Sequence, residues 1–177
     1  MVTAKTITKL LIEHNAMLTG NFKLASGATS SYYIDVKTAI TSPMLLKSIA
    51  DSIAEMAEFD IVAGVAVGGV PLCVATSLAT GTQFAIIRAE AKGHGIANTI
   101  IGDVKGRRVL LVEDVTTSGG SALYGVKEIR AAGGIVDTVI TVVDRCQGAD
   151  ETLGKESIHL IALSTLDELL EQKGIKY

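Results

Sequence analysis

Cysteine, net positive charge and linker-like sequence are all scarce in this chain, and each scarcity closes off a class of protein. Its two cysteines, Cys73 and Cys146, lie far apart in apolar surroundings and lack metal-ligand spacing. Buried free thiols in a reducing compartment are therefore expected, rather than a disulfide or a zinc site. The formal net charge is -3, so no general electrostatic pull draws the chain to nucleic acid or to an anionic membrane. Each basic residue has to be weighed singly. No stretch reads as a linker, an internal repeat or a low-complexity tract. With 177 residues, 48% hydrophobic and 20% charged, the composition suits a single domain, residues 1–177, around one sizeable core.

The opening MVTAKTITKLLIEHNAM lacks a continuous apolar core of signal-peptide length and reads as an amphipathic helix, which points to a cytoplasmic protein. The run from Ile61 to Ile87 carries no charge and is long enough to span a bilayer. Its punctuation argues otherwise. Gly64, Gly68, Gly69, Pro71 and Gly81 divide it into a β-branched run (IVAGVAV), a turn (GGVP), a short helical run (LCVATSLA) and a second apolar run (FAII), so no membrane segment is expected.

Ser42 followed by Pro43 marks a helix start, with a hydroxyl to cap free amides and a proline where its missing N–H does no harm. Leu46, Ile49, Ile53 and Met56 recur at helical spacing, which predicts a helix to about Glu58. Strand-like runs follow at 61–67, 84–88, 109–113, 135–143 and 158–163, separated by segments such as the helical SALYGVKEIRAAGG, whose closing glycines suit a helix end. This alternation predicts an α/β fold, a mostly parallel central sheet flanked by helices. Such sheets place ligand loops at the carboxyl ends of their strands. Three stretches qualify: GGVP, RAEAKGHGIANT and EDVTTSGGS. The segment NFKLASGATSSYYIDVK reads as two short strands joined by a polar turn, a small lid or hood over about 18–40.

Residues 109–121 read VLLVEDVTTSGGS. The TTSGGS part offers glycine-freed amides, hydroxyls and the positive end of a helix dipole, all of which favour a phosphate. It matches neither GxxxxGK[ST] nor GxGxxG, and taken alone it is equally an ordinary helix cap with a tight turn. Glu113 and Asp114 add to this. Carboxylates beside a phosphate pocket repel the phosphate unless they face another part of the ligand, such as a sugar diol or a metal ion. A phosphorylated sugar satisfies both halves of the stretch.

VLLVEDVTTSGGS is similar along its whole length to the phosphoribosyl pyrophosphate (PRPP) signature of type I phosphoribosyltransferases, in which the acids hold the ribose hydroxyls and the loop cradles the 5-phosphate. The rest of the chain resembles the orotate phosphoribosyltransferase family. FKLASGATSSYYIDVK, GGVPL, RAEAKGHG and VVDRCQGADE carry that likeness. The resemblance implies PRPP contacts at Arg88, Lys92, His94, Glu113, Asp114, Val115, Thr116, Thr117, Ser118, Gly119, Gly120 and Ser121. It implies orotate contacts at Thr117 and Arg145, with Tyr33 and Ile34 lining the base pocket. Lys92, His94 and Asp114 are the expected catalytic residues, Mg2+ the cofactor, held mostly by substrate and water without direct protein ligands, and a homodimer sharing the Arg88–His94 loop the assembly. No nucleic-acid or membrane partner is expected. A non-catalytic PRPP-sensing regulator, or a phosphoribosyltransferase for another base, is the alternative.

Physical reasoning agrees at two points. Arg88, Lys92 and His94 stand between glycines, so the segment can present cations to a polyphosphate, and a lysine there stabilises charge growing on departing pyrophosphate. Without the nearby signature the same cations read as a solvated surface loop. His94 can neutralise pyrophosphate or donate a proton. Arg145 can address planar acceptors with two parallel hydrogen bonds, or form a structural ion pair with Asp144 or another acid. Three basic residues common in bacterial members are replaced by Gly68, Ala89 and Ala25. Lys23, two positions from Ala25 and on the same strand face, is expected to compensate in part for the last.

Overall fold

The computed structural model describes residues 4–23, 27, 29–89 and 99–175. In chain order these form α1 (Ala4–Glu13), β1 (Met17–Lys23), β2 (Thr29–Ile34), α2 (Val36–Ala39), α3 (Pro43–Met56), β3 (Ile61–Val65), α4 (Gly69–Thr80), β4 (Gln83–Ile87) and β5 (Ile100–Ile101). They continue with β6 (Val109–Thr116), α5 (Gly120–Ala131), β7 (Thr138–Asp144), α6 (Ala149–Gly154), β8 (His159–Thr165) and α7 (Leu166–Gln172). Six strands make one sheet in the order β5-β4-β3-β6-β7-β8. Neighbours from β4 to β8 pair in parallel, and β5 runs antiparallel on the edge. This is the mostly parallel, helix-flanked α/β sheet that the alternation predicts.

Both sheet faces are covered, which is why its strands are apolar runs rather than alternating patterns. Every residue of β3 is buried. On one face Ile7, Leu11, Leu45, Ile49, Leu72 and Leu169, from α1, α3, α4 and α7, pack on Val62, Leu110 and Ile140. On the other, Ala122, Val126, Ile129 and Leu153 from α5 and α6 pack on Ala63, Leu111 and Val139. At about 1.5 to 3 kcal/mol for each fully buried aliphatic side chain, these two layers outweigh the exposed i,i+4 ion pairs Lys9–Glu13, Lys47–Asp51 and Lys155–Glu151. The hood is an antiparallel pair, β1 with β2, whose register shifts between Thr19 and Phe22. No helix among the described residues is long and apolar enough to cross a membrane.

Several boundaries differ from the sequence expectation, each for a local reason. The Ser42 hydroxyl makes no cap hydrogen bond; α3 starts through Pro43 at its first turn and through the Leu46 N–H donating to the Ser42 carbonyl at 3.0 Å. It ends at Met56 rather than Glu58. The GGVP turn is shorter than expected, because α4 already begins at Gly69. Strand β7 begins at Thr138 instead of Ile135: Ile135 makes only an isolated bridge to Arg108, and the Val136 carbonyl accepts from the Arg130 guanidinium at 3.1 Å. The acids lie inside β6, not in the loop after it, because the ladder to β7 continues through Glu113↔Thr141, Val115↔Val143 and Thr116↔Asp144. Cys73 is buried as expected, whereas Cys146 is exposed, since it lies in the turn beyond β7.

Candidate functional site

Sheet order puts β3, β6 and β7 side by side, so the segments leaving their carboxyl ends converge. The phosphate loop follows β6. Gly119, with φ 81, takes a left-handed turn, and a Cβ there would come within 3.2 Å of the Ala149 backbone. This turn starts α5 at Gly120 and leaves its first amides without intrahelical partners, the arrangement that binds anions. A cavity of about 150 Å³ lies against them, lined by Glu113, Val115, Thr116, Thr117, Ser118, Gly119, Gly120, Ser121 and Ala122. The structure thus brings the sequence-predicted loop residues and one of the two acids onto a single cavity.

The acids are adjacent in sequence and differently held. Glu113 is 4% exposed, and Ser121 Oγ donates to its Oε1 at 2.7 Å. Burial pushes the Glu113 carboxyl up to about 7, against the pull of the Ser121 hydrogen bond. Asp114 is 5% exposed and faces the Lys37 ammonium, 2.8 Å from Oδ2. Asp114 in turn raises the Lys37 ammonium above the ordinary lysine range. On the carboxylate's other side lies Gly68, where a Cβ would fall 2.1 Å from Oδ1. Glycine at 68 is thus the residue this packing admits.

Lys37 is the residue that sequence reasoning missed. It is the last residue of FKLASGATSSYYIDVK, so it stood in plain view, but nothing local ties it to an acid so far along the chain. Asp144 was missed as a support: its Oδ1 accepts from the Thr116 hydroxyl at 2.9 Å and from the Cys146 N–H at 3.1 Å. The Thr116 hydroxyl is therefore engaged within the protein.

Arg145 follows β7 and is half-buried. Its N–H donates to the Thr116 carbonyl at 2.9 Å, linking it to the loop. Its Nε is buried without a hydrogen-bond partner, and Arg145 makes no ion pair with Asp144 or any other acid among the described residues. Tyr33, 46% exposed, stands on the hood with its ring centroid 5.7 Å from that of Phe22. Arg88 leaves β4 with its N–H on the Thr99 carbonyl, 2.8 Å, and its carbonyl on the Tyr124 hydroxyl, 3.0 Å. Lys23 is exposed at the end of β1, and Ala89 is exposed beyond Arg88. Lys92, His94 and Ala25 lie outside the described residues. Among the described residues no group of three or more His, Cys, Asp or Glu is placed to hold a metal ion.

The family model described as a phosphoribosyl transferase domain matches residues 38–158. The chain is 59% identical to the orotate phosphoribosyltransferase of Methanoculleus marisnigri over 93% of its own length and 97% of the relative's. It is 48% identical to that of Methanocaldococcus jannaschii, covering 92% and 94% of the two chains. Among solved structures, orotate phosphoribosyltransferase from Aeropyrum pernix superposes with a TM-score of 0.86 at 34% identity, covering 95% of this chain and 98% of that one. Adenine phosphoribosyltransferase from Leishmania donovani, 21% identical with a TM-score of 0.71 over 94% and 82% of the chains, shares the fold alone.

Proposed function

Because the chain belongs to the orotate phosphoribosyltransferase family, we propose a division of labour among its residues for the reaction of that family. The reaction transfers the phosphoribosyl group from PRPP to orotate, giving orotidine 5-monophosphate and pyrophosphate, a step of pyrimidine biosynthesis. One observation carries the residue assignment: two buried carboxylates, Glu113 and Asp114, end beside a glycine-turned helix start whose cavity Glu113 shares with Val115 to Ser121. The helix start with Thr117, Ser118, Gly119, Gly120 and Ser121 takes the 5-phosphate. Glu113 and Asp114 accept from the ribose hydroxyls, which carry no charge to repel. Arg145, with a buried Nε that lacks a partner among the described residues, takes orotate together with Thr117, and Tyr33 covers the base from the hood.

The chemistry needs no protein nucleophile. Orotate is already an anion, so the residues orient the two substrates and stabilise an oxocarbenium-like ribose against departing pyrophosphate. Lys92, with Arg88 and His94, neutralises that leaving group. The donor set fits magnesium, because Glu113 is engaged by Ser121 and Asp114 by Lys37, which suits a hard cation held by substrate oxygens and water. Bound so, magnesium would supply further neutralisation of the pyrophosphate. We also assign residues 1–177 to one domain, working in the cytoplasm without nucleic-acid or membrane partners, and a homodimer as the working assembly. An apolar groove of about 300 Å³ between α3 and α4, where Leu78 is 81% exposed, supports a covered surface.

Two experiments test these assignments. Magnesium-dependent pyrophosphate release measured across orotate, uracil and adenine is expected with orotate alone; release with another base, or with none, contradicts the base assignment. Mixing Lys92→Ala subunits with Asp114→Ala subunits is expected to restore partial activity in the hybrid if the loop is shared, and no recovery contradicts sharing.

A further inference from the structure

Lys37 reaches the site from a rigid support. It occupies α2, directly after hood strand β2, and that helix is capped by Asp35, whose carboxylate accepts from the Thr38 N–H at 3.0 Å and the Thr38 hydroxyl at 2.7 Å. Val36 and Ala39, 1% and 4% exposed, anchor the turn in the core, which leaves Lys37 on the side facing β6. The lysine side chain is 61% exposed while its partner's is 8%. An ion pair so open on one side contributes little to folding. Its effect falls on the carboxylate instead. Asp114 is held between the ammonium on Oδ2 and the side-chain-free backbone of Gly68 beside Oδ1, and Glu113 makes no ion pair among the described residues. The ionisable groups around the ammonium are Asp114 and Glu113 of β6 and the Tyr33 hydroxyl of β2, and Ser121 of α5 faces Glu113.

We propose that Lys37 is a positioning residue for PRPP, whose ammonium holds the Asp114 carboxylate in a fixed direction so that it accepts from the ribose hydroxyls. The proposal rests on the reading that Asp114 addresses the ribose. A carboxylate held at one oxygen by an ammonium presents its other oxygen in a set direction, as an acceptor for the diol. Because Lys37 stands at the foot of β2, it also couples the base-covering hood to the sugar site.

The test is steady-state kinetics of the intact enzyme with Lys37→Met, Lys37→Arg, Asp114→Asn and the Lys37→Met/Asp114→Asn double variant, between pH 6 and 9. Lys37→Met is expected to raise the KM for PRPP about tenfold, the size of one charged hydrogen bond, with the KM for orotate within about twofold. Lys37→Arg keeps the cation and restores most of the PRPP affinity. In the Asp114→Asn background Lys37→Met has no further effect. An unchanged PRPP KM in Lys37→Met, beside an impaired Asp114→Asn, overturns the proposal and leaves the ribose reading standing. A loss that persists in the double variant also overturns it, by showing that the ammonium touches substrate directly. An Asp114→Asn enzyme with normal PRPP kinetics overturns the ribose reading and the proposal with it.

Discussion

The hood and the end of β6 meet at one ion pair, Lys37 to Asp114, yet they are built in opposite ways. Strand β6 is buried at every position but Val115 and is laddered on both sides, to β3 and β7. Its acids are aimed by the sheet before any ligand arrives. Strand β1 buries only Met17, and β2 alternates exposed with half-buried residues. An isolated two-stranded pair is marginal by itself, so the hood depends on Met17 and Val36 in the core. Sugar-phosphate recognition needs fixed acceptors and amides at set distances. Base recognition needs a surface that admits orotate and then covers it. On the proposed assignment, rigidity and burial are concentrated where the first is done, exposure where the second is.

The largest predicted effect breaks the rigid side. Gly68→Ala places a Cβ 2.1 Å from Asp114 Oδ1 and must displace the carboxylate. Its kcat/KM for PRPP is expected to fall about a hundredfold, measured by initial rates. If the hood alone sets the site, the loss will be small. Next, Arg145→Lys removes a planar fork whose Nε has no partner within the described residues. The KM for orotate is expected to rise between about tenfold and a hundredfold, with the KM for PRPP nearly unchanged.

Burial of Glu113 sets the third effect. Its carboxyl is held at about 7 in the folded chain against an ordinary 4.5. Between those pH values the folded chain keeps a proton that the unfolded chain has released, so stability falls as pH rises through that window. Glu113→Gln removes this penalty. Its unfolding free energy is expected to exceed that of the native chain by up to about 3 kcal/mol at pH 8 and to match it near pH 4, measured by denaturant titration, while PRPP turnover drops. The smallest effect lies in the hood. Phe22→Ala removes the ring beside Tyr33 and is expected to cost about 1 kcal/mol of stability or less, also read by denaturant titration. A larger loss would make the hood a structural pillar rather than a cover.

What was legible in the sequence follows the same divide. Periodicity and punctuation are local, so IVAGVAV, VLLV and the helix ending at AAGG could be assigned from their own residues. The sugar-phosphate stretch carried its chemistry in one contiguous run. The contacts that finish the site join distant positions: Lys37 to Asp114, Thr116 to Asp144, Arg145 N–H to the Thr116 carbonyl. No local pattern announces them. Local rules also failed where tertiary contacts overrode them. Ser42 has the residue type of a cap without the bond, whereas Thr165 and Glu168 form a full capping box that an apolar run concealed. The acids looked like loop residues because charge is rare inside a strand, and only the ladder to β7 shows why they are not.

The division of labour between acids and loop is tested most directly by calorimetric titration of Asp114→Asn and the native enzyme with PRPP and with inorganic phosphate. The account predicts that the variant binds PRPP at least about tenfold more weakly and binds phosphate as the native enzyme does. Equal loss for both ligands, or none for either, would contradict it.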